Sequence, residues 1–130
     1  NNPDFVVSDG TKNIIEGMKK QAIKRLVVVT ALGVGDTRDR VSLSFKMLMK
    51  TVLRKAYEDK ERQEQFVRES GLDWVIVRPG GLTNGPATGD YKFGLDPSIG
   101  GGQVSRADVA SFVLQQLTDD TFLHQTPAIA

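Results

Sequence analysis

Thr11, Ile14, Ile15, Met18 and Ala22 recur at helical spacing, with Lys12, Lys19 and Lys20 on the other side. This predicts a helix over about 9–22. Two starts compete for it. Asn2-Pro3-Asp4 offers a cap, a first-turn proline and an acid at the positive end of the dipole. Ser8-Asp9 offers a second cap, and Gly10 weakens any helix running through it. The pattern then changes. Arg25 to Leu32 is a β-branched run without alternation, as a strand buried on both faces reads, and Gly33-Val34-Gly35-Asp36 ends it as a turn. Ser42 to Ser70 contains no Gly or Pro, and its apolar positions are Leu43, Met47, Leu48, Leu53, Tyr57, Phe66 and Val67. As one helix it would reach roughly 43 Å at 1.5 Å per residue. That is long for a small domain, so a break is expected near residues 54–60. Gly71 stops the helix as a left-handed cap, with Leu72 as its hydrophobic contact.

Asp73 to Pro79 reads as a second buried strand, ended by Pro79-Gly80-Gly81. Residues 80–103 hold eight of the 13 glycines. They predict a long surface loop with a short extended stretch at Tyr91-Lys92-Phe93. Ser105 and Asp108 form a variant capping box for a last helix whose inner face is Val109, Phe112, Val113 and Leu117. Pro127 to Ala130 reads as a final short strand. The order α-β-α-β-loop-α-β predicts a three-layer α/β fold, a parallel sheet with helices on both faces. Residues 1–130 read as one domain, and a partial one. Two strong strands do not make a stable sheet, so an upstream segment or a partner chain is expected to supply the rest. The polar start Asn1-Asn2-Pro3-Asp4, without Met, suits a processed, truncated or partial chain.

Composition removes several function classes. Seventeen basic and 16 acidic residues leave a net charge of +1, which gives no electrostatic case for nucleic acid or an anionic membrane. There is no cysteine, so disulfides and thiolate metal sites are out, and a reducing compartment is suited. His124 is the sole histidine and lies near the C-terminus, a poor basis for a catalytic triad or a zinc site. No metal is expected. No apolar run approaches the ~20 residues that cross a bilayer. The cytoplasm is the expected location, with a plastid also compatible.

Five segments in order carry a family resemblance: Ser8-Asp9-Gly10-Thr11-Lys12-Asn13-Ile14-Ile15, Val27 to Gly33, Lys60 to Trp74, Val77-Arg78-Pro79-Gly80-Gly81-Leu82, and Val104 to Ala110. Together they resemble the C-terminal part, somewhat more than half, of the atypical short-chain dehydrogenases/reductases. The similar group is the NAD(P)H-binding NmrA-like family with the biliverdin reductase B-like flavin reductases. The resemblance implies a Rossmann-like fold whose first strands and Gly-x-x-Gly-x-x-Gly phosphate loop lie upstream of this chain. The residue that reads the ribose would lie upstream as well, so the implied cofactor is NADP(H) or NAD(H).

The resemblance also implies site residues. Thr30, Ala31 and Leu32 at one strand end, and Pro79, Gly80, Gly81 and Leu82 at the next, would line the nicotinamide side of a pocket. Lys60 stands at the position where the family carries its cofactor-side lysine, and would bond the ribose and ease proton donation. Lys60 and Thr30 are thus the catalytic candidates. The Tyr-x-x-x-Lys pair is not met, because Tyr57 is one residue too close to Lys60, and Ala31 stands where many relatives carry Ser. Trp74 reads as core and Arg78 as a brace for loops. Asp90, Tyr91 and Gly100-Gly101-Gly102 would flank a substrate mouth. The implied activity is hydride transfer to a flat conjugated acceptor such as a flavin, quinone or tetrapyrrole. Two alternatives stand beside it: a non-catalytic dinucleotide-binding sensor or scaffold subunit, and an epimerase-like enzyme, which the missing Tyr-Lys spacing disfavours.

Overall fold

A computed structural model describes residues 3–40 and 42–130, with the backbone alone for 38–40. Chain order is α1 (Val6–Lys20), β1 (Arg25–Val29), α2 (Leu43–Lys50), α3 (Arg54–Arg68), β2 (Asp73–Pro79), β3 (Gly81–Thr83), β4 (Phe93–Gly94), β5 (Gln103–Ser105), α4 (Arg106–Gln116) and β6 (Ala128–Ile129). Short 3-10 turns at Pro3–Phe5 and Gly35–Arg40 precede α1 and follow β1.

The sheet runs β1-β2-β6-β4, and β3 and β5 form a separate parallel pair. β1 and β2 are parallel, with Arg25 opposite Asp73 and Val29 opposite Val77. Regular strand geometry ends at Val29, yet Thr30 and Leu32 still donate backbone hydrogen bonds to Val77 and Pro79. β6 pairs in parallel with β2, and β4 pairs antiparallel with β6. The sheet is therefore mixed rather than wholly parallel, and its four strands are the two strong ones, the expected final strand β6 and the short extended piece β4. β1 forms one edge and has a strand partner on one side among the described residues.

Strand alternation divides the interior between two faces. Trp74 and Ile76 of β2 join Val28, Ile15, Val67 and Leu72 under α1 and α3. Val75 and Val77 join Val104, Val109, Phe112 and Ile129 under α4. Phe112 is fully buried and is ringed by Tyr91, Phe93 and Phe122 at centroid distances of 5.1 to 6.3 Å. Trp74 is core, as its strand position implied. His124 is held rather than loose: its amide donates to Trp74, and its Nε2 lies 3.1 Å from the Leu72 carbonyl.

Several local expectations are corrected. The Asn2 cap lies outside the described residues. α1 starts at Val6, ahead of the Ser8-Asp9 start, and neither Ser8 nor Asp9 caps it. Its cap comes from another helix. The Asp59 carboxylate of α3 accepts the Val7 and Ser8 amides at 2.9 and 2.8 Å. Such an acceptor satisfies two of the four orphan N–H groups of a helix start. The break in the long helical run falls at 51–53, just ahead of the expected 54–60, with Ser42 capping α2 by accepting the Phe45 amide. The glycine-rich 80–103 stretch contains β3 and β4, and its last residue opens β5; the extended piece is Phe93–Gly94 rather than Tyr91–Phe93. On α4, Leu117 is exposed and Gln116 is buried in its place. Ser105 accepts the Asp108 amide as expected, but the Asp108 carboxylate turns away to accept the Thr88 and Gly89 amides and the Thr88 hydroxyl.

Burial alone would raise the Asp59 pKa. The Ser8 hydroxyl, the Ser8 and Val7 amides and the Arg62 charge outweigh it and hold the group below its ordinary 3.8. A lowered folded-state pKa stabilises the fold fully above the unfolded value, and this contribution is lost as pH falls through the folded one. Asp59→Ala should therefore cost about 1–2 kcal/mol at neutral pH, the usual penalty for a lost helix cap. It should also flatten the acid limb of the stability curve. Urea unfolding from pH 7 down to pH 2 measures both effects. An unchanged acid limb contradicts the cap.

Candidate functional site

Parallel strands expose their carboxyl ends at one edge of the sheet, and ligands of open α/β sheets sit there. Here the ends of β1 and β2 open into a cleft of about 360 Å³. Ala31 and Leu32 line it from β1's continuation, and Pro79, Gly80 and Gly81 from β2 and β3. The structure thus brings together five of the residues expected from sequence. The remaining walls are Ser42, Phe45 and Tyr57 on one side and Gly101, Gly102 and Gln103 on the other.

The floor requires glycine. A Cβ on Gly80 would stand 2.7 Å from the Gly102 carbonyl oxygen, so the β2 end and the 101–103 segment approach as closely as backbones allow. The Gly80 amide donates to Ile129 and the Gly81 amide to Gly102, at 2.9 and 3.0 Å. A ligand on this floor therefore meets flat backbone surface and finds no free amide at either glycine. The loop after β1 is equally self-contained. The Gly33 amide donates to Thr37 Oγ1, and Thr37 N–H donates to Val34. These two amides are turned inward, as in the turn expected there.

Beneath the cleft lies a buried ionic brace. The Arg78 side chain is 1% exposed and the Glu64 side chain 4%. Arg78 Nη2 donates to Glu64 Oε1 at 2.6 Å and Nε donates at 3.2 Å. Nη1 donates to Asp36 at 2.6 Å and to Thr126 at 3.3 Å. The Thr30 hydroxyl donates to Glu64 Oε2 at 3.4 Å. One guanidinium thus joins β2, α3, the turn after β1 and the approach to β6. Burial alone would lower the Arg78 pKa, but Glu64 and Asp36 outweigh it and raise it. Partial burial pushes Asp36 up, and the Arg78 bond and charge bring it below its usual value. Gly35, at φ +60°, fits against this brace, since a Cβ there would lie 2.9 Å from Arg78 Nη2.

Not every expected residue faces the cleft. Thr30 is buried, is not among the residues lining the cleft, and its hydroxyl donates to Glu64. Leu82 sits in β3 and does not line the cleft. Lys60 is half-buried on α3 and outside the cleft lining. Asp90, Tyr91 and Gly100 line a separate hollow beside Ala130, whereas Gly101 and Gly102 reach the cleft itself. Arg78 is the brace expected of it. Tyr57 and Phe45 carry more weight than their sequence context gave. They meet edge to face at 6.1 Å across the α2–α3 junction, and burial pushes the Tyr57 phenol above its ordinary 10.0. The position of Tyr57 on the face it shares with Glu61 and Glu64 was the available signal.

A mixed, mainly parallel sheet covered by helices on both faces, with a cleft at its carboxyl edge, defines the Rossmann-type dinucleotide-binding class. Within that class, residues 2–120 match the model of the NAD(P)H-binding family. The chain belongs to that family, among the atypical, NmrA-like short-chain dehydrogenases/reductases, and its cofactor is NAD(P)(H). An uncharacterised chloroplastic protein of Arabidopsis thaliana is 28% identical over 111 residues, covering 85% of this chain and 40% of that protein. The uncharacterised sugar epimerase YhfK of Bacillus subtilis is 32% identical over 111 residues, covering 85% and 47%. Among solved structures, the anaerobilin reductase ChuY of Escherichia coli O157:H7 superposes with a TM-score of 0.79 at 29% identity, covering 99% of this chain and 59% of that one. A Veillonella parvula short-chain dehydrogenase/reductase in complex with NADP superposes at 0.75 with 21% identity, covering 95% and 58%, and supports the fold. The chain spans about half the length of the curated relatives it matches. No helix among the described residues is long and apolar enough to cross a membrane.

Removing one partner of a buried pair leaves the other charge uncompensated. Arg78→Met should therefore destabilise the protein by about 3–5 kcal/mol. Arg78→Met with Glu64→Leu should recover much of that loss, because two apolar groups leave no orphan charge. Urea titration of the single and double variants distinguishes this from simple loss of volume, which the double change would not repair.

Proposed function

We propose that this chain forms the nicotinamide-side part of an NAD(P)H-dependent reductase acting on a flat conjugated acceptor: a flavin, quinone or tetrapyrrole. The observation that carries the reading is the cleft at the β1 and β2 ends, with its glycine floor and its aromatic wall of Phe45 and Tyr57. Its size suits one or two stacked rings rather than a whole dinucleotide. The Gly33 and Thr37 amides of the turn after β1 are already bonded, which favours a phosphate site in a segment or partner outside these residues.

When bound, NAD(P)H supplies the hydride, which such an acceptor takes directly. The chain's own residues bind, orient and exclude water. Ala31, Leu32, Pro79 and Gly80 would bound the nicotinamide ring. The Tyr57 phenol, which burial holds above its ordinary 10.0, is neutral at physiological pH like any tyrosine and can donate a hydrogen bond at the cleft wall. Lys60, one turn along α3 on the face of Tyr57, would contact the ribose. The similarity to the anaerobilin reductase ChuY favours a conjugated acceptor. The cytoplasm or a plastid is the proposed location, and a chloroplastic relative agrees with the second.

A second reading has its own observation. Thr30 turns its hydroxyl to Glu64 and Ala31 has none, so no strand-end hydroxyl enters the cleft. That arrangement suits a sensor or scaffold subunit that binds the dinucleotide without turnover. A sugar-epimerase reading, prompted by YhfK, would need the Tyr-Lys spacing that this chain departs from. NADPH oxidation followed at 340 nm with flavin and quinone acceptors decides among them. Turnover is expected, with Lys60→Met raising the KM for NADPH roughly tenfold through a lost charge-assisted hydrogen bond. Binding of NADPH without oxidation by any acceptor contradicts the reductase reading and favours the sensor.

A further inference from the structure

The cleft at the strand ends has three polar side chains in its described lining, Ser42, Tyr57 and Gln103, and neither a carboxylate nor a cation. Ser42 is committed, since its Oγ accepts the Phe45 amide and lies 3.2 Å from Ser44 Oγ. Tyr57 offers a single hydroxyl. Gln103 differs in kind. A carboxamide presents donor and acceptor on neighbouring atoms, and no described residue bonds the Gln103 side chain. The strands fix its place. β5 pairs with β3 so that Gln103 stands opposite Gly81. Val104 and Ser105, the other residues of β5, are buried, and Ser105 caps α4. The backbone that carries Gln103 is therefore anchored, while its own side chain is exposed. A Cβ on Gly81 would meet Gln103 Cγ at 3.4 Å, so the Gln103 stem lies beside Gly81 at the cleft floor. The Gly80 and Gly81 amides of that floor already donate to Ile129 and Gly102, so neither supplies a donor to a ring carbonyl placed there.

We propose that Gln103 is a specificity-determining residue that reads the amide edge of a ring held in this cleft, with Nε2–H donating to the ring's carbonyl and Oε1 accepting its N–H. The proposal rests on the reductase reading and deepens it. An uncharged lining selects a neutral polar edge, and of its side chains only a carboxamide matches a carbonyl and an N–H on neighbouring atoms. Two ring systems carry that edge: the nicotinamide carboxamide of the cofactor, and the imide or lactam of a flavin or tetrapyrrole. A quinone has carbonyls without the N–H, so Gln103 would favour the other acceptors over it.

Two matched pairs of ligands test it with the full-length protein. NADP+ and its 3-acetylpyridine analogue differ in that the amide NH2 of the first is a methyl group in the second. Lumiflavin and 3-methyllumiflavin differ in the imide N–H. Calorimetric titration should favour the amide-bearing member of at least one pair about tenfold, the size of one or two net hydrogen bonds. In Gln103→Leu that preference should fall toward one, with the thermal midpoint unchanged because the side chain is exposed and bonds no described residue. Loss confined to the dinucleotide pair identifies the nicotinamide as the ring that is read, and loss confined to the flavin pair identifies the acceptor. Equal binding within both pairs, or a preference that Gln103→Leu leaves unchanged, overturns the assignment. NADPH oxidation alongside that result would leave the reductase reading standing. A preference that depends on Gln103, without oxidation by any acceptor, would keep the assignment and remove the reductase reading.

Discussion

The buried pair of Arg78 and Glu64 is the constraint on which the site geometry depends. Two charges leave water only where their bonds are nearly all satisfied. Arg78 meets that condition by reaching both Glu64 oxygens, Asp36 and Thr126, and Thr30 completes Glu64. The bonds fix the end of β2, the turn after β1, the register of α3 and the approach to β6 against one planar group. An apolar contact could have filled the same volume, but it would not have specified which atoms meet. The strand ends that bound the cleft are held to one arrangement because a charge would be orphaned in any other.

The cleft follows from that arrangement. With β2 fixed by Arg78, Pro79 ends the strand and Gly80 can pass within contact of the Gly102 carbonyl. α3, held through Glu64, presents Tyr57 toward the same opening, and the bend at 51–53 sets Phe45 against it. On the far face of α3, Asp59 caps α1, while Arg62 lies between the Phe5 and Phe66 rings at 4.8 Å from each and bonds Asp9. A single helix therefore organises the strand-end site with one side and the neighbouring helix with the other.

Much of this was legible in the chain. The β-branched runs gave β1 and β2, and Asp73–Pro79 matches its expected bounds. The Gly71 turn, the Ser105 cap and the final short strand also follow from local chemistry. What local pattern could not reveal was long-range. Asp59 caps a helix some fifty positions away, so the expected start of α1 fell late. β3 and β5 are too short to show a period and exist because each pairs with the other. Gln116 rather than Leu117 lies in the interior because it stands seven residues after Val109 on the buried face, with its side-chain amide donating to the Phe112 carbonyl. At the site, Ala31, Leu32, Pro79, Gly80 and Gly81 were readable from strand-end position, whereas Thr30 was not. Its side-chain direction depends on Glu64, which sequence does not place.

The braced ends of β1 and β2 are proposed to hold the nicotinamide end of the cofactor. Nuclear Overhauser spectroscopy of the full-length protein, with alanine and leucine methyl groups labelled and NADPH bound, tests it directly. Contacts are expected between nicotinamide ring protons and the methyls of Ala31 and Leu32, with none from the adenine protons to either residue. Adenine contacts at those methyls, or nicotinamide contacts confined to other parts of the protein, would contradict it.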